Sequence, residues 1–443
     1  MARAQASSAR PQALGSTLSN LPAWQGRLAT LVACALPGLL LRMGGAHVPP
    51  LLGCLVFGGA VMAAGFVLAA AAEAAEVDLP PGIAVAGVAF VAVLPEYAIE
   101  VYFAFSGQTE LVTASLTGAT RLLLSFAVGM PALAALVLRL RGRRRPPRVV
   151  DIEAGRRTEL AIIAAASAYA PLIVIRGHLT WQDSVVLLGL YALYLRRVST
   201  GDPEPPHLVG VAAELAKLPK RQRRRWVAGL MGFSAAVILV TAEPFAQSVI
   251  GAGTMVGVSQ YLLVQWLVPV ATEMPELVVA FVLVVHRRAG QGVAVLLSSA
   301  VSQWTLALGT LPLAFAAGAG QGPLPLLGRE RVELLLTMAL GLFAVATLVT
   351  LHLRRSDATL MLTLFGVQVL IPTVWLRAVL TVVYLVLAFD VLSAERWALP
   401  ALARALRGRP QAAAPAARAR SPRSGRARSP RSRSGTRSRG AAG

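Results

Sequence analysis

Val93-Leu94-Pro95-Glu96-Tyr97 and Glu273-Met274-Pro275-Glu276-Leu277 decide the reading of this chain. Each places a Pro-Glu pair inside an apolar run long enough to be a membrane-spanning helix. From Glu96 to Gly129 is 33 residues and from Glu276 to Gly309 is also 33, with Pro131 and Pro312 soon after each glycine. The two segments are therefore in register over one span, a short turn and the next span. A proline inside a helix frees a backbone carbonyl, and near the bilayer midplane that oxygen can coordinate a cation. The carboxylate beside it is costly in hydrocarbon, which makes an intramembrane acid a functional group by default.

The composition around these motifs is that of a membrane protein. Of 443 residues, 56% are hydrophobic and 14% are charged, too little charge to cover a soluble protein of this length. Backbone polar groups in lipid need internal partners, so the apolar runs are helices. The expected fold is all-α, a polytopic membrane protein of about twelve transmembrane helices. Their cores fall near 28–45, 50–72, 82–105, 110–138, 158–176, 181–196, 227–249, 257–285, 292–317, 331–353, 358–372 and 375–394. Pro372 and Arg377 mark either a turn between the last two or a kink in one element.

The net charge of +21 is concentrated beside the spans. With the N-terminus in the cytoplasm, the inside loops are 139–157 with eight Arg, 196–226 with eight Lys or Arg, 286–291 and 354–357. The outside loops carry scattered basic residues such as Arg42, Arg176, Arg329 and Arg377. This alternation follows the positive-inside bias and places both termini in the cytoplasm, with the chain in the plasma (cytoplasmic) membrane. The inside turn 73–80 breaks the bias with Glu73, Glu76 and Asp78. On this topology the span holding Glu96 runs outward and the span holding Glu276 runs inward. The repeats are thus inverted, the arrangement that marks the central site of a secondary transporter.

Residues 1–27 read as a cytoplasmic segment without the layout of a signal peptide. The tail 400–443 holds twelve Arg and no acid and is expected to be disordered. It serves either as a solvated topology anchor or as a contact for anionic lipid; nucleic acid is not an expected partner. Cys34 and Cys54 lie in apolar runs and read as packing thiols, and the five histidines stand at or beyond span ends. With no metal cluster, nucleophile–base pair or cleavage-type carboxylate dyad in the sequence, neither an enzyme nor a bound cofactor is expected. The membrane chemistry rests on carboxylates and hydroxyls.

Leu94-Pro95-Glu96 and Ala271-Thr272 followed by Met274-Pro275-Glu276 resemble the first motif of the cation/calcium exchanger superfamily, which includes sodium/calcium exchangers. Gly118-Ala119-Thr120 and Ser298-Ser299-Ala300 stand at its second motif. The resemblance implies ten core helices, so that 28–45 and 375–394 are peripheral helices. The first exchanger repeat half is then 50–196, the second is 227–372, and 197–226 is a basic cytoplasmic loop between them. It also implies two inverted repeats of the sodium/calcium exchanger type, with a cation site of Glu96, Glu276, Thr272, Thr120, Ser298 and Ser299, to which Glu273, standing where the family has a small hydroxyl residue, adds a further acid. The sequence departs from the family at Ala92-Val93, where Thr-Ser is usual, and at Thr120 and Ala300, where Asn is usual.

Glu273 precedes Glu276 by three residues and shares its helix face; Glu100 follows Glu96 by one turn. Either acid is a second ligand or a partner of Arg121, which sits at mid-depth in its span, and Glu100 is alternatively a span-end acid. Arg121 is either a fixed charge in place of a cation or a structural ion-pair member. Ser115, Thr117, Ser302 and Gln303 are small polar groups that either line the site or pack helices. Glu243, before Pro244, is a candidate for an access path, and Trp181, Trp226 and Trp397 read as interfacial anchors. The expected function is a secondary active cation antiporter that alternates access at a midplane carboxylate site, carrying Na+, Ca2+ or H+. The alternatives are a sodium/proton exchanger without calcium activity and, in another class, a non-transporting membrane scaffold.

Overall fold

A computed structural model describes residues 23–78, 81–142, 149–200, 208, 210–320 and 322–407. The first half contains α1 (Ala23–Met43), α2 (Pro50–Ala75), α3 (Pro81–Phe105) and α4 (Thr109–Leu140). It continues through β1 (Val149–Asp151), α5 (Arg157–Arg176), β2 (His178–Leu179) and α6 (Trp181–Ser199). The second half opens with the short α7 (Val211–Ala216), then α8 (Lys220–Val256), α9 (Gln260–Val285) and α10 (Ala289–Ser302). A π-helical turn at Gln303–Ala307 leads into α11 (Leu308–Gly318), followed by β3 (Leu324–Pro325) and α12 (Gly328–Leu348). The last elements are β4 (His352–Arg354), α13 (Arg355–Leu370), α14 (Val374–Ala394) and α15 (Leu399–Arg407).

Among the described residues, nine helical segments are long and apolar enough to cross a membrane by length and composition. They are α1, α2, α4, α5, α8, α9, the continuous α10–α11 unit, α12 and α14. Helices α3, α6 and α13 lie in the other intervals where spans are expected.

The two small sheets fix the relative direction of the helices. Strand β1 pairs antiparallel with β4, and β2 pairs antiparallel with β3. Because β1 precedes α5 and β2 follows it, while β3 precedes α12 and β4 follows it, α5 and α12 are antiparallel neighbours joined at both ends. The chain directions follow from these two faces. Helix α4 ends near β1. Helix α3 ends where Phe105 lies against Gly318, just before β3, so α3 runs from the β1–β4 face to the β2–β3 face. Helix α9 ends before α10, whose Gly290 lies against the Asp151 carbonyl of β1, so α9 runs the opposite way to α3.

Three expectations need correction. The segment 197–226 is not all loop: it contains α7 and the first turn of α8, because Arg223 anchors that turn by donating to both carboxylate oxygens of Asp78, at 2.9 and 2.6 Å. The tail begins as a helix: Leu402 and Ala405 of α15 are buried, α15 packs on α5, and Arg197 donates to the Leu406 carbonyl at 2.9 Å. The expectation of disorder for the remaining tail, 408–443, lies outside the described residues. Finally, Arg377 is not an outside loop residue. The chain breaks between α13 and α14 around Pro372, and Arg377 falls inside α14, fully buried. Trp181, Trp226 and Trp397 are exposed, as interfacial anchors would be.

Candidate cation site

The two Pro-Glu motifs meet. Gly65 on α2 lies against both prolines: a Cβ there would stand 3.1 Å from the Pro275 ring and 3.8 Å from the Pro95 ring. Helix α4 crosses α9 just as closely, since a Cβ on Gly118 would collide with the Gln265 carbonyl oxygen. Small residues permit such backbone approaches between membrane helices. Gly65 therefore brings the α3 and α9 motifs under a common cover, and Gly118 brings α4 against α9.

Four carboxyl groups gather beneath it. Glu96, Glu100, Glu273 and Glu276 are all buried. The Glu96 carboxyl faces that of Glu273 and also lies within electrostatic reach of Glu100 and Glu276. Neither Glu96 oxygen has a hydrogen-bond donor, and the same holds for one oxygen of Glu276 and one of Glu100. The second Glu100 oxygen accepts from the Gln303 amide at 2.7 Å, at the start of the π-helical turn. Carboxylates this close repel unless a proton or a cation lies between them. The arrangement is therefore a receptor for hard positive charge. Among the described residues, no group of three His, Cys, Asp or Glu side chains is placed to hold a metal ion.

The expected hydroxyl residues divide. Thr272 on α9 is buried and donates to the Val268 carbonyl at 3.1 Å, so its lone pairs stay available. Thr120 likewise donates within its own helix, to Leu116 at 2.8 Å. Ser299 is buried, whereas Ser298 is half-buried and lies within hydrogen-bonding reach of the Tyr194 hydroxyl of α6. Ser115 is buried with no partner for its hydroxyl. Thr117 donates to Thr113 at 2.7 Å and Ser302 to Ser298 at 3.3 Å. Glu243 accepts from Arg42 at 2.6 Å and from Gln247 at 3.2 Å, and Gln247 also donates to the Tyr102 hydroxyl.

Arg121 does not pair with Glu100 or Glu273. It forms an ion pair with Glu333 at 2.8 Å and donates to Gln368 at 3.1 Å and to the Thr117 carbonyl at 2.9 Å. Its guanidinium lies 5.4 Å from the Trp266 ring centroid. Glu333 is also in contact with Arg377 and accepts from Gln265 at 3.2 Å, while Arg377 donates to the Gln265 oxygen at 2.9 Å. Sequence reasoning missed this second buried cluster. Its signal was present as Gln265, Glu333 and Gln368, polar residues inside apolar runs, each calling for a partner at that depth.

A family model described as sodium/calcium exchanger protein matches residues 48–199 and 226–374. Among solved structures, the chain is similar to the H+/Ca2+ exchanger CAX, with 33% identity and a TM-score of 0.80 over 87% of this chain and 98% of that one. It is also similar in fold to native YfkE, with 14% identity and a TM-score of 0.53 over 82% and 99% of the two chains. No curated protein matches the chain.

Proposed function

The chain belongs to the sodium/calcium exchanger protein family, and from that premise we propose that it is a secondary active cation antiporter working by alternating access. The observation that carries this reading is the contact of Glu96 on α3 with Glu273 on α9, made without a donor on Glu96. Such a pair is at rest with a shared proton or with a cation, and exchange of one for the other at one site is antiport. The opposite directions of α3 and α9, and of α5 and α12, support two inverted repeats with the site between them. Twelve spans, with the β1–β4 face in the cytoplasm beside Arg139, Arg141, Arg156 and Arg157, complete the arrangement in the cytoplasmic membrane.

Glu96, Glu276 and Glu273 supply the charged oxygens in this reading, with Thr272, Thr120 and Ser299 as neutral ones. The similarity to an H+/Ca2+ exchanger favours calcium against protons. A second reading, sodium against protons, is favoured by the departures at Ala92-Val93, Thr120 and Ala300, which remove polar groups of the calcium-exchanger pattern. Purified protein in liposomes, given calcium, sodium and pH gradients in turn, separates the two. Calcium efflux driven by a pH gradient supports the first; sodium–proton exchange with no calcium flux supports the second.

A further inference from the structure

Helix α8 opens with Lys220-Arg221-Gln222-Arg223-Arg224-Arg225-Trp226, just ahead of its apolar part. The helix divides these cations between its faces. Arg223 donates to both oxygens of Asp78, and Arg224 stands 3.9 Å from the same carboxylate. Arg225, two residues beyond Arg223, is turned about 200° away from it. Among the described residues, no acid stands within ion-pair distance of Lys220, Arg221 or Arg225, and all three are exposed.

The face that carries Arg225 is concave. Gln222, Arg225, Trp226, Gly229 and Leu230 line a groove of about 350 Å³, a single stripe of the helix at three- and four-residue spacing. Gly229 keeps it open, since a Cβ there meets nothing within 4 Å. Leu230 continues inward into an apolar cluster with Leu28 of α1 and Val67 of α2. Trp226 stands edge to face with Trp24 at the start of α1, ring centroids 6.1 Å apart. Indole rings favour the headgroup level of a bilayer, so the groove starts among guanidinium groups and runs onto apolar surface at the membrane boundary.

We propose that this groove at the foot of α8 seats an anionic phospholipid, its phosphate held by Arg221 and Arg225 and an acyl chain lying over Gly229. Arg221 precedes Arg225 by one turn on the same side of the helix, so two guanidinium forks address one phosphodiester. Arg223 and Arg224 are committed to Asp78 on the other side, which leaves this pair for a ligand. The cations alone would be a solvated face; the apolar groove that begins where they end selects a lipid. A free inorganic anion would leave the groove over Gly229 unfilled, and an acidic protein segment would have to enter the bilayer boundary to fill it. The site is separate from the carboxylates between α3 and α9 and stands whichever cations the protein exchanges.

The test is quenching of tryptophan fluorescence in the full chain, reconstituted in vesicles that mix brominated phosphatidylglycerol with plain phosphatidylcholine, or the reverse. The signal missing from Trp226→Phe gives the share that reports on the groove. That share should show a preference of roughly tenfold for the anionic lipid, the scale of two basic residues at a membrane surface. Arg221→Gln with Arg225→Gln should remove the preference, and Arg225→Gln alone should halve it on a logarithmic scale if the double variant does not reach the membrane. Gly229→Leu fills the groove without touching a charge and should weaken quenching of Trp226 by both lipids. Lys217→Gln, which removes an exposed cation already paired with Glu214, should leave the preference intact. Equal quenching by the two lipids in the wild type would overturn the proposal, as would a preference that survives loss of both arginines. Trp226 quenched by neither lipid would also overturn it, because protein would then cover the groove.

Discussion

Arg121 on α4 and Glu333 on α12 form an ion pair at 2.8 Å with neither side chain exposed. Arg377 from α14 joins the same carboxylate, so two buried guanidinium groups share one acid. Removing that acid strands both charges. Glu333→Gln should therefore destabilise the protein by about 3–5 kcal/mol, the usual consequence of breaking a buried pair from one side. Arg377→Gln should cost less, because Arg121 still neutralises Glu333. Thermal unfolding of the purified variants in detergent checks the order. Equal losses would mean that Arg377 is as essential to the cluster as Glu333.

Gly118 bears directly on the site because α4 touches the α9 backbone there. Gly118→Ala puts a methyl group into the Gln265 carbonyl, and helix separation is the only relief. The expected loss is about 1–3 kcal/mol, accompanied by weaker cation binding, since Thr120 moves with the helix. Gly59, where an added Cβ meets nothing within 4 Å, is the matched control. Calorimetric binding and unfolding on both alanine variants measure the difference.

The Asp78–Arg223 tie lies outside the spans and carries a pH signature. The Arg223 hydrogen bonds hold the Asp78 carboxyl below its ordinary value. A group with a depressed folded pKa contributes stability above its unfolded pKa of about 3.9, and that contribution disappears as the pH falls through the folded value. Hydrogen exchange in the first turn of α8 should thus be slow and flat from neutral pH down to about 4, then accelerate relative to its intrinsic rate. Asp78→Asn should show the faster exchange at neutral pH and no such transition.

The apolar runs were enough to expect a mostly helical membrane protein, and the long helices fall in the intervals read from them, because that signal is local in the chain. The pairing of side chains was not legible in the same way. Glu273 meets Glu96 because α3 and α9, distant in sequence, both pack against α2 at Gly65, and no spacing within either helix encodes that meeting. Arg377 read as a loop residue because it follows Pro372, yet the turn ends at Thr373 and α14 carries it inward to Glu333. The helix in 399–407 was masked by the arginine-rich composition around it, although its leucines recur at helical spacing.

The most direct test of the central claim is cation flux through liposomes containing wild-type protein, Glu96→Gln or Glu276→Gln, each first shown to be folded by its unfolding transition. If the two carboxyls are the halves of one transport site, both variants lose flux by about a hundredfold or more, on the scale of removing a charged group that the ion contacts directly. Wild-type rates in both would contradict the account and leave a protein that carries nothing through this site.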